Sequence, residues 1–194
     1  ASLIEPPYRT LGLTYDSALD PAFNKLSNMA SEGMLSFQKA RIYQLCEFVP
    51  KDDRSVSIQK LLKDAFVSAT DIPSDQYIIP YSDDQKWARI CSDFELDIRE
   101  HGGLDIILLG MRADGSLLYN MPSIGLAPVT HVEKIGEDKV VSAGIATLMQ
   151  AKKIYVAAIG ESCAEALSLA LRDSINDQRP ASLLQLHQNI TIIA

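Results

Sequence analysis

The stretch Gly103 to Pro122, GLDIILLGMRADGSLLYNMP, constrains this chain most, because an apolar strand runs straight into a loop bounded by Gly110 and Gly115. Leu104, Ile106, Ile107, Leu108 and Leu109 form the short apolar run of a strand buried on both faces, which belongs to a parallel sheet covered by helices. In open α/β sheets the ligand site is built by loops leaving the carboxyl ends of strands. The segment after Leu109 is therefore where chemistry is expected, and Asp114 is its only carboxylate.

Similar runs at Thr10–Leu13, Arg41–Phe48, Ile154–Ile159 and Ile190–Ile193 alternate with helical patterns, the signature of a βαβ architecture. Asp20 is placed to cap a first helix, with Pro21 at its first position and Phe23, Leu26 and Met29 on one face. Ile58, Leu61, Leu62, Ala65 and Phe66 stripe a second helix. Trp87, Ile90, Cys91, Phe94 and Ile98 stripe a third, which ends near His101-Gly102-Gly103. Ser162-x-x-Glu165 has the spacing of a capping box for a late helix. Pro122 to Gly136, with Gly125 and Pro128, reads as one extended loop. The expected fold is a three-layer α/β domain around a mostly parallel, doubly wound sheet, and 194 residues argue for one domain over residues 1–194.

Composition excludes several function classes. A net charge of -7 opposes a nucleic-acid backbone, and no basic cluster offsets it, so no nucleic-acid partner is expected. No apolar run approaches the ~20 residues of a membrane span, and no secretory signal pattern opens the chain, so a cytoplasmic protein without a membrane partner is expected. Cys46, Cys91 and Cys163 lack metal-ligand spacing and read as reduced thiols. No histidine and carboxylate grouping suggests a metal, and no cofactor is expected.

The order Gly110, Asp114, Gly115, Asn120, Pro122 resembles the glucosamine-6-phosphate deaminase/isomerase family, whose loop reads Gly-x-Gly-x-Asp-Gly-His and then Phe-Asn-Glu-Pro. The 6-phosphogluconolactonases resemble it more distantly. Leu11 to Val49 and Ser142 to Ala194 follow the same family in order, including Pro180-Ala181-Ser182 and Leu184-Gln185-Leu186-His187. The resemblance implies aldose-ketose isomerisation with loss of an amine. That reaction needs a base, a ring-opening acid and a phosphate cradle.

Position by position, those groups are replaced. The family's glycine- and threonine-rich cradle after the first strand reads Thr14-Tyr15-Asp16-Ser17-Ala18-Leu19-Asp20, without glycine. Carboxylates at Asp16 and Asp20 would repel a phosphate by ~1 to 4 kcal/mol at contact. The family lysine that meets the phosphate falls at Cys163, and the arginine of the family's longer lid has no counterpart in the shortened segment. The base position is Cys46, a thiol with a reference pKa of ~8.5 and no adjacent cation to lower it, so a buried, inert thiol is favoured over a nucleophile. Ser116 stands at the ring-opening histidine and Met121 at the glutamate that supports it.

Asp114 remains, and a lone aspartate in a glycine-bordered turn is more often a backbone-bonding residue than a base. Arg112 replaces the loop's second glycine and is placed to pair with Asp114 or Glu47. His101 fits a helix C-terminus, His187 a structural role, and His131 lies in the shortened lid.

The expected ligand-binding set is Gly110, Arg112, Gly115, Asn120 and Glu47, with Asp114 the one retained catalytic position. The favoured reading is a family member that keeps the fold and not the chemistry. It would serve as a regulatory or assembly partner, or bind a non-phosphorylated ligand; the candidate partners are a small sugar or sugar phosphate and the other subunits of a homo- or hetero-oligomer. The competing readings are an active sugar-phosphate enzyme rebuilt around Asp114 with Glu47 or His131, and a sugar-sensing effector domain. The first strand begins so early that some N-terminal structure of the family is expected to be absent.

Overall fold

The computed structural model describes residues 9–49, 57–81, 86–125 and 127–194. The strands are β1 (Arg9–Leu13), β2 (Ala40–Gln44), β3 (Cys46–Val49), β4 (Tyr77–Ile78), β5 (Ile106–Gly110), β6 (His131–Ile135), β7 (Asp138–Ser142), β8 (Lys153–Ala157) and β9 (Ile190–Ile193). The helices are α1 (Asp20–Ser31), α2 (Ile58–Ala65), α3 (Trp87–Glu100), α4 (Ile145–Met149) and α5 (Glu161–Arg172).

Six strands form one sheet in the order β4-β2-β1-β5-β8-β9, with every pairing parallel. The chain moves outward from β1 to one edge, then returns to β5 and moves to the other. The topological switch point therefore lies between β1 and β5. Alternate strand residues serve the two faces, as period 2 requires. Leu11, Leu13, Ile42, Ile106 and Leu108 join α1 and α2 in one apolar cluster, where Phe66 stacks on Phe23 at 5.1 Å. Ile107, Leu109, Ile154 and Val156 join Phe94, Ile98, Ile145 and Leu148 of α3 and α4 in the other. This is the three-layer, doubly wound α/β arrangement expected from the apolar runs.

Three local expectations are corrected. Arg41–Phe48 is two strands, because the chain leaves the parallel sheet at Leu45 and β3 pairs antiparallel with β7 in a second sheet, β3-β7-β6. Leu45 is the joint: its N–H donates to Leu13 O at 2.8 Å and its carbonyl accepts from Ala143 N at 2.7 Å. Pro122 to Gly136 is not loop throughout, since His131–Ile135 is β6 and Gly136, at φ 62°, turns it directly into β7. At the helix starts, Asp20 lies inside α1 and Asp16 instead caps the preceding 3-10 turn, accepting from Ala18 N. Ser162 likewise lies inside α5, whose N-cap is Gly160.

A polar clamp ties β2 to α3. Arg41 meets Asp97 with Nη2 at 2.7 Å and Nε at 3.0 Å, and Tyr43 donates its hydroxyl to the same carboxylate. Partial burial opposes the charge on Asp97, but the Tyr43 hydroxyl and the Arg41 guanidinium outweigh it and hold the carboxyl below its ordinary range. With a depressed folded pKa, this stability is complete above the unfolded value of ~3.9 and is lost as pH falls through the folded one. Asp97→Asn is expected to cost about 2 kcal/mol at pH 7 and markedly less at pH 3, measured by urea unfolding at both pH values. An equal cost at the two pH values would contradict the charge-based account.

Candidate functional site

The carboxyl ends of β1, β5 and β8 open into a cleft of about 610 Å³, lined by Asp16, Ser17, Ala18, Met111, Arg112, Ala113, Asp114, Ile159 and Cys163. It lies at the switch point, where doubly wound sheets bind ligands, and its volume is within the ~300–1,000 Å³ of small-molecule sites. Strand order explains the membership: the loops after three neighbouring strands converge there. The loop reading reached Asp16, Arg112, Asp114 and Cys163. It missed Ile159, which is 50% exposed at the end of β8. The signal for Ile159 is positional, because the loop after β8 adjoins the switch point only once the sheet order is known.

The loop after β5 is a tight turn in which Gly115 N donates to Arg112 O at 2.9 Å and Gly115 takes φ 76°. That left-handed conformation is why glycine stands there. Asp114 Oδ1 accepts from the Ser116 amide at 2.9 Å and its hydroxyl at 2.6 Å. Arg112 Nε lies 3.9 Å from Asp114 Oδ2, and both side chains are half-exposed. Partial burial works against the Asp114 charge, yet the Ser116 hydroxyl and amide and the Arg112 guanidinium prevail, so the carboxyl sits below its usual range. A carboxylate stabilised in this way is a weak proton acceptor at neutral pH. Ser116 is buried as the turn's internal donor, and the Arg112 guanidinium rests 5.6 Å from the centre of the Tyr119 ring.

Gly110 ends β5 against the turn after β1. A Cβ built on Gly110 would stand 2.2 Å from Asp16 Cγ, so the missing side chain makes room for the Asp16 carboxylate. Cys163, in the first turn of α5, donates its thiol to Met111 O at 3.2 Å across the cleft.

The other predicted positions lie around this cleft instead of on its lining. Cys46 is buried, with Sγ 3.1 Å from Thr14 Oγ1. Burial pushes its pKa up to about 12, the neighbouring Glu47 charge adds to that, and the Thr14 hydroxyl only partly offsets it. Glu47, 5% exposed, accepts from the backbone N–H groups of Phe48 at 2.9 Å, Ile58 at 3.0 Å and Gln59 at 2.7 Å, and from Gln44 Nε2 at 2.9 Å. It thus satisfies two of the orphan donors of α2, whose N-cap Ser57 serves Lys60 N. Its carboxylate is occupied as a structural cap.

Asn120 is fully buried beneath the loop, where Nδ2 donates to Leu117 O at 2.8 Å and Ala143 O at 3.0 Å. Met121 is half-buried beyond it, and its carbonyl accepts from Ile124 N.

The histidines are likewise placed away from Asp114. His131 borders a separate groove along α3, with Nδ1 3.0 Å from Val129 O. His101 caps α3, its Nδ1 2.8 Å from Asp97 O. His187 spans Ala151 O at 2.7 Å and Asn189 N at 3.1 Å, a structural arrangement. Among the described residues no His, Cys, Asp and Glu group is arranged to hold a metal ion, and no helix is long and apolar enough to cross a membrane.

Comparison with known proteins agrees with this fold. Residues 10–193 match the family described as glucosamine-6-phosphate isomerases/6-phosphogluconolactonase. The glucosamine-6-phosphate deaminase of Clostridium acetobutylicum is 30% identical over 201 residues, covering 94% of this chain and 83% of that protein. That of Shouchella clausii is 28% identical over 209 residues, covering 98% and 84%. A solved monomeric glucosamine-6-phosphate deaminase superposes with a TM-score of 0.91 at 26% identity, over 98% of this chain and 87% of that one. The 6-phosphogluconolactonase from Thermotoga maritima shares the fold, with a TM-score of 0.76 at 18% identity over 97% of this chain and 85% of that one.

Proposed function

Because the chain belongs to the glucosamine-6-phosphate isomerase/6-phosphogluconolactonase family, we propose that it is a carbohydrate-metabolism protein that keeps the family's scaffold without its isomerase/deaminase reaction. It acts as a ligand-binding or regulatory protein. The observation that carries this is the state of the cleft's one retained acid-base position. Asp114 is held by Ser116 and Arg112 as a stabilised carboxylate. Proton transfer between adjacent carbons needs a base with a pKa near the working pH, placed against the substrate. Cys46 does not supply one, since its thiol is buried and pushed up to about 12. Glu47 does not either, because its oxygens are taken up by α2.

A second function, an active sugar-phosphate isomerase, deaminase or lactonase rebuilt around Asp114, draws on one observation. Arg112 is a half-exposed cation on the cleft lining and has the chemistry to hold a phosphate. Release of fructose 6-phosphate and ammonia from glucosamine 6-phosphate, and opening of 6-phosphogluconolactone, separate the two. The purified protein is expected to give rates equal to buffer with both substrates, and Asp114→Asn to change nothing. Saturable turnover abolished by Asp114→Asn would establish the rebuilt enzyme instead.

A further inference from the structure

We draw no further inference here: the strongest candidate, the groove of about 1010 Å³ along α3 lined by Trp87, Cys91, Glu95, Arg99, His131 and Thr147, carries none, because its carboxylate, Glu95, is taken up in holding Thr130 and Thr147 to α3 and nothing in the structure shows what covers the rest.

Discussion

Replacing Glu47 with alanine is expected to cost about 3 kcal/mol of stability, the largest effect of any single substitution around the cleft. The reasons are local. The carboxylate is 5% exposed and gathers the amides of Phe48, Ile58 and Gln59 together with Gln44 Nε2. Removing it leaves the Ile58 and Gln59 amides at the start of α2 without their acceptor, takes away a negative charge at the positive end of the helix dipole, and opens a cavity between β3 and α2. Glu47→Gln retains one acceptor oxygen and the volume, so about half that cost is expected. Urea unfolding reads both changes as shifts of midpoint at constant slope. A cost below about 1 kcal/mol for Glu47→Ala would show that the carboxylate is free for other work, and would return it to the list of candidate bases.

The second large effect is on the reactivity of Cys46. At pH 8 a thiol with an ordinary pKa of ~8.5 is about one quarter thiolate, and one displaced to about 12 is about one part in ten thousand. Alkylation of Cys46 by iodoacetamide is therefore expected to be at least ~1,000-fold slower than that of free cysteine, with burial slowing it further. Cys163, partly exposed on the cleft, provides the internal comparison and should be labelled first. Mass spectrometry of tryptic peptides over a time course distinguishes the two sites. Early labelling of Cys46 in the folded protein would show an accessible thiolate, and with it a nucleophile at the position where the family places its base.

How far the sequence reveals the fold depends on the kind of burial each segment has. β1, β5 and β8 are legible because buried parallel strands are continuous apolar runs, and β9 because Ile190–Ile193 keeps an apolar run although it is a partly exposed edge strand. β6 and β7 are not, since an antiparallel pair with exposed positions at Lys134, Asp138 and Lys139 mixes charge with apolar residues and reads as loop. The division of Arg41–Phe48 is invisible for the opposite reason: Ile42, Tyr43, Leu45, Cys46 and Val49 are buried whichever sheet they serve. Only the pairing of Leu45 with both Leu13 and Ala143 marks the transfer.

The site divides in the same way. Gly115 and Asp114 are legible because turn chemistry is local: a glycine at positive φ and an aspartate bonding two residues onward. Asn120 and Glu47 are not, since their roles depend on where distant backbone lies. Asn120 reaches Ala143 and Glu47 reaches Ile58 and Gln59, and nothing in their immediate neighbours signals either destination. Asp16 is intermediate: its place after β1 is evident, but its lodging over Gly110 emerges only when the two strands are paired.

The central claim is that the cleft at the switch point carries the family's architecture without its phosphate-dependent chemistry. Calorimetric titration of the purified protein with glucosamine 6-phosphate and fructose 6-phosphate at moderate salt, with product assayed in the same samples, tests it most directly. The account predicts no saturable heat from either phosphate ester and no product. Saturable binding that requires the phosphate, accompanied by interconversion of the two sugars, would contradict it and establish a working active site built around Asp114 and Arg112.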